Sequence, residues 1–142
     1  MRKSLLYVII IANILFLVFF PAIKSKYIND QLNIKIINIA SKDLESKGKE
    51  VWIDQIYVDE KLIDNSEIVI TSGWYNQGRI FSTGNKKEEI YLKFDCKESV
   101  KIVFITHEYS GMANIQVNNR NEVINLYSKT QGTKEYLIMK DN

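Results

Sequence analysis

Along much of this chain apolar side chains fall on every second residue, and that periodicity limits the fold more than any other feature. Ile90, Leu92, Phe94 and Cys96 share one side of an extended backbone, while Tyr91, Lys93 and Asp95 share the other. Successive side chains of a strand point to opposite faces of its sheet, so such a segment suits one buried and one solvated face. Leu32, Ile34 and Ile36 repeat the pattern, as do Val100, Ile102 and Phe104. Ala113, Ile115 and Val117 alternate with Asn114, Gln116 and Asn118, and further runs occur at residues 123–127 and 136–139.

About eight strands follow, roughly ten residues apart, which leaves no room for crossover helices. The expected fold class is all-β: an antiparallel β-sandwich or barrel, with a jelly roll as the leading architecture. Residues 51–58 are rich in β-branched and aromatic side chains, and Asp59-Glu60-Lys61 reads as a tight hairpin turn before Leu62-Ile63. The polar residues 41–50 suit a loop or a short helical turn. Ile68-Val69-Ile70 is continuously apolar, which predicts burial on both sides or a place at the edge of the core. Gly73 and Gly78 bound an expected loop that holds Trp74 and Tyr75, and Arg79-Ile80-Phe81-Ser82 returns to strand character before a turn at Thr83-Gly84-Asn85.

A different physics governs the N-terminus. No side chain in residues 5–23 is charged, and a helix of that length, at about 1.5 Å per residue, matches a bilayer's hydrocarbon core. Arg2 and Lys3 precede the run without a nearby acid, so the positive-inside tendency keeps the N-terminus cytoplasmic and sends the rest across. Residues 1–25 are therefore expected to be a membrane anchor, a single N-terminal transmembrane helix, and residues 26–142 an extracytoplasmic β-sandwich domain. The competing reading is a cleaved signal segment, but the bulky Phe20 of Phe20-Pro21-Ala22 stands where cleavage wants a small residue. Asn13 is the polar side chain that could bond to another membrane helix.

The net charge of +2 resides in Arg2 and Lys3, because acidic and basic side chains cancel after residue 23. An exported domain without electrostatic bias gives no reason to expect nucleic acid as a partner. One cysteine, Cys96, cannot close an internal disulfide, so the domain has to be held by its core. That profile, with its abundance of Ile, Lys and Asn, points to a bacterial cell envelope.

Phe81-Ser82-Thr83-Gly84, the strand at 100–106, Ser110-Gly111-Met112-Ala113-Asn114-Ile115-Gln116-Val117-Asn118 and Val123-Ile124-Asn125-Leu126-Tyr127-Ser128 together resemble the second half of galactose-binding-like jelly-roll modules. The resemblance covers roughly residues 51–140 and rests on turn and core patterns, which speak for fold more than for ligand. It implies glycan binding as an expectation, since similar modules accompany bacterial proteins that handle surface glycans. Many also carry a structural calcium ion, but no compact carboxylate cluster in this sequence matches that site.

Sugar recognition needs an aromatic surface beside groups that hydrogen-bond hydroxyls. Trp74, Tyr75, Arg79, His107 and Tyr109 supply that mixture, from two loops that could meet at one end of a sandwich. Trp74 could equally plug the end of the core, and Trp52, in mid-strand, reads as core. His107 is the sole histidine, so neither a zinc site nor a Cys-His pair assembles locally. Ser110-Gly111 lacks the strand-to-helix setting of a nucleophile elbow. Cys96 reads as a small core hydrophobe, and Glu88-Glu89 and Asp59-Glu60 read as solubilising surface pairs. The expectation is a non-enzymatic, membrane-anchored binding module for envelope glycan, without cofactor or metal. The alternative is a structural or accessory subunit docking onto a larger membrane protein of surface-polysaccharide handling.

Overall fold

Ten strands, in place of the eight expected, make up the domain in a computed structural model that describes residues 31–140. The expected anchor and its orientation fall on residues outside that range. Among the described residues no helix is long and apolar enough to cross a membrane.

The strands are β1 (Gln31–Asn38), β2 (Val51–Val58), β3 (Lys61–Ile63), β4 (Trp74–Asn76) and β5 (Ile80–Ser82), then β6 (Glu88–Asp95), β7 (Ser99–Thr106), β8 (Met112–Val117), β9 (Arg120–Asn125) and β10 (Gly132–Met139). One sheet has the order β6-β1-β8-β9; the other has the order β10-β7-β2-β5-β4, with β3 also paired to β2. The described fold is thus all-β and antiparallel. Ile34 and Ile36 of β1, Ile90 and Leu92 of β6 and Ile115 of β8 meet Ile53 and Ile56 of β2, Ile80 of β5 and Val100, Ile102 and Phe104 of β7 in one buried cluster. Burying each such side chain contributes about 1.5–3 kcal/mol, which is how a disulfide-free domain of this size holds together.

Register defines two ends. Ile34 faces Val117 and Asn38 faces Ala113, so β1 starts beside the β8–β9 turn and runs away from it. At its far end the Asn38 amide donates to the Lys49 carbonyl (2.9 Å) and to Ser82 Oγ (3.0 Å), next to the start of β2. The chain therefore enters the domain at one end, here the entry end, shared with the β2–β3, β6–β7 and β8–β9 turns. The distal end carries Glu50, Ser82 and residues 107–111.

The entry end is fastened by Asp59. With Asp59 at φ 48° and Glu60 at φ 66°, the β2–β3 turn takes the doubly left-handed form that matches hairpin twist. The Asp59 carboxylate accepts backbone N–H bonds from Lys97, Glu98 and Ser99 of the β6–β7 turn (2.9, 2.8 and 3.1 Å). These donors, Lys97 first, hold its pKa down at about 2. Cys96 is buried, and burial raises its thiol pKa.

Four expectations change. The glycine-bounded segment is not a plain loop, because Trp74–Asn76 forms edge strand β4 against β5. Ile68-Val69-Ile70 is not buried on both sides: Ile68 and Ile70 pack against the edge of the core, as the second half of that expectation had it, while Val69 is 80% exposed. Glu88 and Glu89 separate by alternation: Glu89 pairs with Lys35 on the outside (2.8 Å), whereas Glu88 is buried and accepts a hydrogen bond from Ser82 Oγ. Trp52 is not core. Val51 and Ile53 take the inward positions, which turns Trp52 to the outer face of the six-stranded sheet.

Candidate functional site

The outward turn of Trp52 builds the most distinctive surface of the molecule. Tyr75 of β4 faces Phe81 of β5, Phe81 faces Trp52 of β2, and Trp52 faces Ile105 of β7, so one transverse row of large side chains crosses four strands. The rings stack in sequence. Trp52 and Phe81 have centroids 4.2 Å apart and planes 11° from parallel, and Tyr75 lies 5.2 Å from Phe81 at 28°. Stacked cross-strand aromatics contribute beyond their buried area, about 0.5–1.5 kcal/mol per pair.

The row continues into the loop after β7. His107 meets Trp52 edge-on at 6.5 Å, and Tyr109 lies 6.3 Å from His107. Tyr75 is 50% and Tyr109 45% exposed, so each presents ring surface to solvent at an extremity of the array.

Polar groups fix this arrangement. The Trp52 indole Nε1 donates to Glu50 Oε2 (2.8 Å), and His107 Nε2 lies 3.8 Å from the same oxygen. The Tyr109 backbone N–H donates to His107 Nδ1 (3.1 Å), which places the proton of the neutral ring on Nε2, towards Glu50. The loop is tied down by buried serines. Ser110 Oγ accepts from the His107 N–H (3.1 Å), and the single O–H of Ser46 is set to donate to the Ser110 carbonyl (2.8 Å), with the Gly48 and Glu108 carbonyls also in reach at 2.9 and 3.2 Å. Lys47 pairs with Glu108 and sits 5.9 Å from the Tyr109 ring centre.

Arg79 lies just before β5, two residues from Phe81. Its Nε donates to Asp54 Oδ1 (2.7 Å), the acid at the irregularity in β2 where the register with β7 shifts. Asn65 Nδ2 steadies the same irregularity by donating to the Asp54 carbonyl (3.1 Å).

Of the residues read from sequence, Tyr75, His107 and Tyr109 join one array through Phe81 and Trp52, and Arg79 stands beside it. Trp74 does not take part. It points inward from β4, is 4% exposed and belongs to the core cluster, as its alternative reading as a core plug had it. Its indole N–H has no partner in the described structure. Trp52, Phe81 and Glu50 were missing from the sequence-read set. The available signal was the inward pair Val51 and Ile53, which fixes the opposite face for Trp52.

Among the described residues no group of three or more His, Cys, Asp and Glu side chains is placed to hold a metal. Comparison of the chain with family models, curated proteins and solved structures finds no match. What this surface does has to be read from its own geometry.

Chemically, the array combines apolar ring surface with the Glu50 carboxyl group, the His107 imidazole and the Arg79 guanidinium. Such a surface offers ring faces for apolar contact and polar groups for hydrogen bonding.

Proposed function

We propose that this chain is a non-enzymatic binding module of a bacterial cell envelope, held at the membrane by its N-terminal segment, whose distal aromatic end takes a glycan. The observation that carries the reading is the row Tyr75–Phe81–Trp52 with His107, Tyr109, Glu50 and Arg79 around it. It lies at the end of the fold opposite to the one the chain enters. A domain tethered at its entry end offers its distal end to the wall or capsule, where a glycan ligand is found.

Trp52 and Phe81 close one face of each other, so successive sugar units of a glycan would rest on the outer faces of Tyr75 and Tyr109 and on the ring edges between them. Its hydroxyls would meet Glu50, His107 and Arg79. Consecutive strands that change sheet, β1 to β2, β5 to β6, β6 to β7, β7 to β8 and β9 to β10, support a jelly-roll reading of the sandwich.

The test is a glycan array probed with the full chain in detergent. Binding should be retained in Trp74→Phe and lost in Trp52→Ala and Tyr75→Ala. Failure to bind any envelope glycan sinks the reading.

A second reading is favoured by the burial of Trp74, which removes one expected platform ring, and by exposed Leu62, Leu137 and Met139 on the same sheet. It makes the chain an accessory subunit of a larger membrane protein of surface-polysaccharide handling. Pull-down of a specific membrane partner by the full chain, with no glycan bound, would select it.

A further inference from the structure

A second transverse row crosses the same outer face nearer the entry end. Leu62 faces Tyr57, Tyr57 faces Lys101, and Lys101 faces Leu137, on β3, β2, β7 and β10. Met139 follows one position on, opposite Ser99. Leu62 is 52%, Leu137 59% and Met139 57% exposed, and Tyr57, Lys101, Leu137 and Met139 line a shallow depression with Glu60, Glu98 and Ser99. Lys101 Nζ lies 4.5 Å above the Tyr57 ring and 3.5 Å from Glu135, so its charge is held at the edge of the row. Isolated exposed apolar side chains are ordinary, and Leu44, Val69, Tyr91 and Val123 stand on other elements. The row is different because register makes it contiguous.

We infer that this row is a lipid-contacting surface that seats only the entry-end edge of the sheet on the bilayer from which the chain emerges, with the distal row of the same face held clear of it. The inference rests on the anchored reading above. Between Ile23, where the apolar run ends, and Gln31, where β1 begins, stand residues 24–30. Seven residues reach at most about 25 Å when fully extended. Gln31 is confined to that distance from the membrane surface, and the row lies at the same end of the fold on the other sheet.

Confinement decides what so small a patch can do. A free protein interface of ordinary stability takes about 20–30 residues a side, which this row does not provide. A short tether raises the effective concentration of the patch at the bilayer to the millimolar range, so a few partly buried side chains are enough. The chemistry also suits an interface. Leu and Met enter the acyl boundary, Tyr prefers headgroup depth, and Lys101 keeps its ammonium in water while its stem covers apolar surface. Acidic and basic side chains cancel after residue 23, so contact does not depend on anionic lipid.

The test uses the full chain in phosphatidylcholine liposomes, with Cys96→Ala as background and a nitroxide on Leu137→Cys or, as the distal control, Tyr75→Cys. Flotation of the liposomes reports the anchor independently. Expected is a label at 137 more accessible to oxygen than to a water-soluble nickel chelate, with the reverse at 75. A floating chain whose label at 137 is as water-accessible as that at 75 overturns the lipid contact and leaves the anchor standing. A label at 137 shielded from both reagents, with or without spin–spin broadening from a second copy, overturns it in favour of a protein partner. A chain that does not float overturns the anchor and this inference together.

Discussion

The indole of Trp52 and the ring of Phe81 lie 4.2 Å apart and 11° from parallel across neighbouring strands, on the solvent side of the six-stranded sheet. Two large aromatics in register on an outer face are held by each other, so their interaction is measurable as a pair. In a double-mutant cycle of Trp52→Ala and Phe81→Ala followed by urea unfolding, the coupling is expected at about 0.5–1.5 kcal/mol. A coupling near zero would mean that the rings do not stack in solution.

Trp74 should behave in the opposite way. Because it fills the core, Trp74→Ala is expected to lower stability by about 3–5 kcal/mol. Trp74→Phe should lose much less, since the indole N–H has no partner to forfeit. Thermal melts of the two variants separate volume from hydrogen bonding.

Asp59 gives a signed pH dependence. Its folded pKa, about 2, lies below the ordinary carboxyl value, so its contribution is present above about pH 4 and lost as pH falls from 4 towards 2. Asn tolerates the left-handed backbone found there, so Asp59→Asn removes the charge without straining the turn. The gap in melting temperature between wild type and variant should be constant near neutrality and close below pH 4. A gap that persists at pH 2 would assign the effect to something other than the carboxylate.

Gly78 and Gly84 both have positive φ, 80° and 69°, but a Cβ on Gly78 meets nothing within 4 Å while one on Gly84 would lie 2.2 Å from the Lys49 carbonyl oxygen. Gly78→Ala should therefore cost only the left-handed penalty, about 1–2 kcal/mol. Gly84→Ala must also displace the start of β2. Denaturant midpoints should rank wild type, Gly78→Ala, Gly84→Ala in falling order.

Ser82 bridges two buried polar side chains, accepting from Asn38 and donating to Glu88. Ser82→Ala leaves both short of a partner and should destabilise the domain by about 1–3 kcal/mol. Circular-dichroism melts at neutral pH read this directly.

Much of the fold was legible because β6 and β8 alternate without interruption, and their inward residues are those the period selects, while β7 keeps Val100, Ile102 and Phe104 inward even though Val103 and Ile105 on its other side are buried too. Where the period breaks, reading failed. The irregularity at Asp54 shifts the register of β2 and hides the outward face of Trp52, and β4 and β5 are too short to show any period. The site was half legible for the same reason. Tyr75, His107 and Tyr109 stand beside glycine-bearing turns, which mark exposed ends, but the rings joining them come from strands paired at long range. Trp74 and Tyr75 are adjacent in sequence, and only the strand character of β4 sends one inward and the other out.

The pairing of β1 with β8 has a kinetic consequence. The first strand has no hydrogen-bonded neighbour until most of the domain exists, since its partners are β6 and β8. High contact order of this kind slows folding. If the domain becomes available from its first strand onward, β2, β3, β4 and β5 can pair with one another early, while β1 waits unpaired until β6 and β8 have followed it.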